Sequence, residues 1–301
     1  MSKSITIGCL FLLSFAVKAQ DTLTICKQLI SEHKLNEAVV LLDEYNNHHT
    51  DSTALILTGD TYYLLNFYEV AANRYTELLL LHPTHFYTLK KRAMSYYMAS
   101  LFKQAHTEWT KVCRLQPDDK YNWYFLALIN QQLGDDKGAI KSWSGVIKQD
   151  AFFVDALTAR SILYLKTRQY RLALSDIDSA IKISQFNELL FSHRALALLG
   201  LKRYKEAEMM YERLLKYNEK NYHAWFGLGN VYFGATHYAK AIDAYDVCLA
   251  INPNFEIGYF KRALTQLELN QEQKACPDLL KAHELGYPDA LFYLKKYCGV
   301  N

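Results

Sequence analysis

Proline and glycine are scarce, 5 and 12 of 301 residues, so loops are few and short. The net charge is a small +3, which gives no reason to expect a nucleic-acid partner. Past the first twenty residues there is no apolar run of membrane-spanning length, so no stable membrane insertion is expected once that start is removed. Catalytic signatures are missing as well. There is no H-E-x-x-H, no G-x-x-x-x-G-K, no G-x-S-x-G and no paired C-x-x-C. The close histidines, His48-His49 and His82/His85, fall in predicted turns and fall short of the three or four clustered ligands that zinc takes. Asp118-Asp119 and Asp135-Asp136 sit at turns or helix starts, where carboxylates satisfy free amides. Asp176 and Asp178, two apart, point to different faces of a helix and make a poor acid/base pair. No catalytic centre, metal site or cofactor is nominated, and the expectation is a protein that is not an enzyme.

What is present is an aromatic-rich chain, with 23 tyrosines and 15 phenylalanines, and a repeat. In residues 222–255, Trp225, Leu228, Gly229 and Tyr232 recur at helical spacing and share one stripe of a first helix. Gly234-Ala235-Thr236 makes a plausible turn. Tyr238, Ala241, Tyr245 and Cys248 form the matching stripe of a second helix, which Asn252-Pro253 ends because proline lacks an amide hydrogen. The same frame recurs in steps of 34 residues. A small residue returns at Gly59, Ala93, Ala127, Ser161, Ala195, Gly229 and Ala263, and alanine at 71, 105, 139, 173, 207, 241 and 275. A bulky side chain at such a place would overpack a helix pair by about 1–3 kcal/mol.

This pattern resembles the tetratricopeptide repeat family, whose signature is W-x2-L-G-x2-Y followed by an alanine, an aromatic and a proline within 34 residues. The resemblance implies an all-α, right-handed α-solenoid of stacked helix-turn-helix repeats with a C-terminal capping helix, forming one elongated domain. The units are 52–85, 86–119, 120–153, 154–187, 188–221, 222–255 and 256–289, after a degenerate first unit over 20–51 and before a cap over 290–301. The segment AHELGYPDA also resembles a Sel1-type fragment.

The amino-terminal end reads differently. Lys3, an apolar run from Ile5 to Val17 and the small-residue close at Ala19 make a secretory signal over 1–19, cut after Ala19. Signal and cap style together point to the periplasm of a Gram-negative bacterium. Cys276 and Cys298 flank the last repeat and the cap. They are a possible disulfide in an oxidising compartment, although spacing alone does not show that the sulfurs come within reach.

In this family the first helices line the concave groove, at the second, fifth, ninth, twelfth and thirteenth places of each unit. Carried over, the resemblance implies a partner-binding groove of Tyr63, Tyr87, Lys90, Met94, Tyr97, Met98, Tyr121 and Tyr124 toward one end. Toward the other it implies His223, Phe226, Asn230, Phe233 and Phe260. Lys90 stands at a place used by the family's carboxylate clamp, but Met94, Phe125 and Ala159 replace the rest, so no carboxylate-clamp ligand is expected. An aromatic, methionine-bearing groove with few charges suits a protein or peptide. The same rings packed on one another would instead be core. The resulting expectation is a non-enzymatic exported scaffold in an envelope assembly or secretion complex. The alternative is a periplasmic binding protein holding an apolar small ligand, lipid or glycan in the groove.

Overall fold

The computed structural model describes residues 21–184 and 187–299. The predicted signal over 1–19 and its cleavage place lie outside the described residues. Among the described residues every regular element is a helix, and the chain is an all-helical α-solenoid that divides into two compact units at Gln149/Asp150.

The first unit holds α1 (described from 21 to 31), α2 (Leu35–His48), α3 (Ser52–Leu64), α4 (Tyr68–Leu81), α5 (Phe86–Met98), α6 (Phe102–Leu115), α7 (Lys120–Gln132) and α8 (Asp136–Gln149). From α2 onward each helix packs against the next. The second unit holds α9 (Val154–Lys166), α10 (Tyr170–Ser184), α11 (Glu188–Gly200), α12 (Tyr204–Tyr217), α13 (Tyr222–Gly234), α14 (Tyr238–Ile251), α15 (Glu256–Glu268), α16 (Glu272–Glu284) and α17 (Ala290–Tyr297), again packed consecutively. First helices therefore begin at 52, 86, 120, 154, 188, 222 and 256, a constant step of 34.

Local chemistry sets this beat. Asp51, Asp119, Asn187 and Asn221 each stand just before a first helix and accept hydrogen bonds from its leading amides, satisfying donors the helix itself leaves free. Within each hairpin the turn needs one left-handed residue, at Asn66, Ser100, Gly134, Arg168, Lys202, Thr236 and Asn270, with φ between 57° and 73°. Only one of the seven is glycine. The Gly234-Ala235-Thr236 turn is thus refined: Gly234 closes α13, and Thr236 carries the positive φ of 60°. The small-residue and alanine places explain themselves. Ala93, Ala127, Ala195 and Ala263 are fully buried, as are Ala71, Ala105, Ala139, Ala173, Ala207, Ala241 and Ala275, where helices meet most closely.

Glycine replaces alanine at two of these places for a specific reason. Tyr75 lies across Gly59 and donates from Oη to Asp60 at 2.5 Å; Tyr245 lies across Gly229 and donates to Asn230 at 2.8 Å. A Cβ on either glycine would enter the ring crossing above it.

Four arginines share another place in this frame: Arg92, Arg160, Arg194 and Arg262, where Trp225's unit carries Leu228. Three of them reach a carboxylate sixteen residues on. Arg92 pairs with Glu108 at 2.8 Å, Arg160 with Asp176 at 2.7 Å and Arg262 with Asp278 at 2.6 Å, each carboxylate side chain only 8% exposed. Arg194 finds Met210 at that place and turns back to Asp178 at 2.7 Å. Asp176 and Asp178 thus serve different arginines.

Candidate partner-binding surface

In the first unit, α3, α5 and α7 carry the predicted groove residues. Asp60 on α3 is the hub of the first group. It accepts from Tyr75 Oη, from Tyr87 Oη at 3.0 Å and from Lys91 Nζ at 3.1 Å. Lys91 also stands 5.2 Å from the Tyr87 ring centre and 5.9 Å from that of Tyr63, close enough for cation–π attraction. Burial, and then the bond and charge of Asp60, push the Tyr75 phenol far above its ordinary range. Burial pulls Lys91 down, but the charge of Asp60 and the bonds to Tyr87 and Asp60 outweigh it, so Lys91 stays firmly cationic.

One repeat on, Lys90 pairs with Asp119 at 2.8 Å, and Asp119 also accepts from the Tyr121 amide at 2.9 Å. Burial would raise the Asp119 carboxyl, but Lys90 and the helix amides hold it below its usual range. Lys90 is therefore a strut for the start of α7. Above these paired charges stand Tyr87 and Tyr121, 45% and 53% exposed, with Met98 at 42%.

Other residues expected in the groove are half-buried and also touch neighbouring side chains. Tyr97 meets Phe125 edge-on at 5.9 Å, Phe125 stacks on the buried Trp109 at 4.9 Å, and Tyr124 meets Trp143 edge-on at 5.4 Å. Tyr97, Met94 and Phe125 lie partly buried against the core of α5–α7. Tyr63 is half-buried and edge-on to Tyr68 at 5.2 Å. Aromatic rings are large enough to reach neighbouring helices and make edge-to-face contacts there.

In the second unit His223 is exposed beside Tyr222, their ring centres 4.0 Å apart. Phe226 sits edge-on to Phe255 at 5.0 Å, Phe233 lies 5.6 Å from Tyr238, and Asn230 is engaged by Tyr245. Phe260 is no groove residue. It is 4% exposed, with its ring against Tyr287 at 4.4 Å and Tyr293 at 5.3 Å, in the core that α15 and α16 share with α17. The cap closes over Phe260, whose counterpart Phe226 in α13 is only half-buried.

Cys276 and Cys298 form a disulfide with Cα atoms 5.7 Å apart. Cys26, Cys113 and Cys248 are buried and free, and burial pushes the thiols of Cys113 and Cys248 up to about 12, which keeps them unreactive. Among the described residues no helix is long and apolar enough to cross a membrane, and no three His, Cys, Asp or Glu side chains could hold a metal ion.

Sequence reasoning missed the arginine–carboxylate pairs. Their signal was an arginine in place of the leucine of the repeat signature, with an acid sixteen residues later.

Known proteins resemble the chain in the same terms. A tetratricopeptide repeat family model matches residues 193–254. Tetratricopeptide repeat protein 6 of Homo sapiens is 25% identical over 231 residues, 74% of this chain; the chain spans 43% of that relative's length. A tetratricopeptide repeat protein from Parabacteroides merdae superposes with a TM-score of 0.56 at 16% identity, covering 80% of this chain and 95% of that one. A chain of the APC/C hetero-tetramer Cut9-Hcn1 gives 0.51 at 17% identity, covering 92% and 55%. At these identities the solved structures speak for the fold alone. Together with the 34-residue helical beat, the matches support the tetratricopeptide repeat family for this chain.

Proposed function

We propose that this protein is a non-catalytic scaffold that engages a protein partner through the tyrosine-bearing face of α5 and α7. The repeat fold itself suggests partner binding. The observation that carries the reading is the exposure of Tyr87 and Tyr121 at equivalent places of successive repeats, with Lys91 near the Tyr87 ring and Lys120 near the Tyr121 ring. Tyrosine offers a large, stiff, amphipathic contact, and rings fixed by paired neighbours lose little freedom on binding. Replacing Tyr87 and Tyr121 together by alanine is expected to abolish partner retention from an envelope extract while circular dichroism stays helical. Equal retention by both proteins would remove this face from the interaction.

We place the scaffold outside the cytoplasm, in an envelope assembly or secretion complex. The charged, apolar and small-residue order of residues 1–19 supports export, and so does the Cys276–Cys298 disulfide, since such bonds persist in oxidising compartments. The chain has six cysteines, and loss of Cys9 with the signal leaves five. Recovery from the periplasm with an amino terminus at Gln20, and three thiols that react without reductant once the chain is unfolded in denaturant, is the expected result. A cytoplasmic protein retaining Met1 would overturn it.

A further inference from the structure

Between α4, α5 and α6 a cleft of about 430 Å³ opens to solvent. That volume falls within the roughly 300–1,000 Å³ of small-molecule sites. Leu79, Leu89 and Leu115 give it an apolar lining, and Arg92, Lys111 and Arg114 bring three cationic side chains. Glu108 is paired with two of them, accepting from Arg92 at 2.8 Å and from Lys111 at 3.0 Å. Arg114 has no ion pair among the described residues. The balance at the cleft is cationic.

Arg92 adds an independent observation. Arg160 and Arg262 each spend Nε and one terminal nitrogen on a single aspartate. Arg92 faces a glutamate, one methylene longer, and its fork is used differently. Nη1 donates to Thr76 Oγ1 at 3.1 Å and Nη2 to Glu108, while Nε is buried with no acceptor. A guanidinium is best matched by a carboxylate.

We propose that this cleft binds an aliphatic carboxylate, its acyl chain along the leucines and its headgroup among Arg92, Lys111 and Arg114. A peptide carboxyl terminus would present the same charge but also a string of amides. For those the lining side chains offer two hydroxyls, on Thr76 and Thr84, and that of Thr76 already donates to the Ala72 carbonyl and accepts from Arg92. The site is separate from the tyrosine face and stands or falls without it.

The test is titration of the full chain with decanoate, below its micelle-forming concentration, by calorimetry and by methyl NMR of the cleft leucines. Saturable one-to-one binding with shifts at Leu79, Leu89 and Leu115 is expected, and decylammonium should not compete. Arg114→Ala should weaken binding about tenfold. The double variant Arg92→Leu/Glu108→Ala recreates the Leu228/Ala244 pair that α13 and α14 already use, so it should fold, and it should lose binding. Unchanged affinity in the double variant would overturn the proposal. So would equal binding of decylammonium, preference for a peptide ending in leucine, or no decanoate binding by the wild-type chain.

Discussion

The hairpins α9/α10 and α13/α14 occupy the same register in one unit and close by different chemistry. In α9/α10, Arg160 forks onto Asp176 beneath the surface, and Ser161 and Ile177 fill the small-residue place and the place facing it. In α13/α14, Leu228 and Ala244 replace the ion pair, and Tyr245 crosses Gly229 to reach Asn230. The repeat frame therefore specifies which places must be filled closely, and leaves open whether a charged fork or an aromatic ring fills them. The two solutions differ in how they fail. A fork fails by stranding a charge, and a ring fails by collision.

The largest expected effect breaks the fork. Asp176→Ala leaves the Arg160 guanidinium, 17% exposed, without its bidentate partner and should cost about 3–5 kcal/mol. Removing both partners, as Arg160→Leu/Asp176→Ala, should restore most of that stability, because apolar replacement of a buried pair is often neutral or better. Urea unfolding of the three proteins checks this. If the double variant is as unstable as the single one, the fork contributes more than the two-solution comparison allows. The ring solution is tested by Gly229→Ala. The added Cβ would meet the Tyr245 ring, which is fully buried, at an overpacking cost of about 1–3 kcal/mol. Gly229→Ala/Tyr245→Leu should regain part of it, since Leu279 faces Ala263 in this way in α15/α16. A harmless Gly229→Ala would show that the tyrosine is free to swing away.

Much of this fold was legible in advance, because a packing constraint repeated every 34 residues leaves the same mark each time. The buried alanines at 71 to 275 are such a mark. Some helix ends were legible too, since Asp119 caps α7 and Asn252-Pro253 closes α14 as their chemistry requires. The surface was less so. Family register places Tyr97, Tyr121 and Tyr124 on first-helix faces alike, but only contacts with Phe125 and Trp143 separate two packed rings from one exposed one. Those contacts depend on what the neighbouring helices carry. Phe260 was misplaced because the register knows nothing of α17, whose Tyr293 closes over it. The arginine forks went unread because each looks like a lapse in the signature until its acid, sixteen residues on, is counted with it.

A smaller effect separates the turns. The α7/α8 turn uses Gly134 for its left-handed residue and the α13/α14 turn uses Thr236, a β-branched residue that rarely adopts positive φ. Thr236→Gly should raise stability by about 1 kcal/mol and Gly134→Ala lower it by a similar amount, read from the same urea curves. Opposite signs at equivalent places would tie the effect to the backbone, and equal signs would tie it to side-chain contacts.

The smallest effect is a proton at the next hairpin. His193 in α11 occupies the place that Gly227 takes in α13, and burial holds its imidazole below the ordinary histidine range, with Nδ1 lacking a partner among the described residues. The folded chain therefore resists a proton that the unfolded chain accepts near pH 6.5. Its contribution to stability is complete above that pH and is lost as the pH falls from there through the lower, folded value. His193→Gln should flatten this part of the pH–stability profile without moving its neutral plateau far. A slope that survives the substitution belongs to another group, and α11 would then be as indifferent to acid here as α13, where a glycine leaves nothing to titrate.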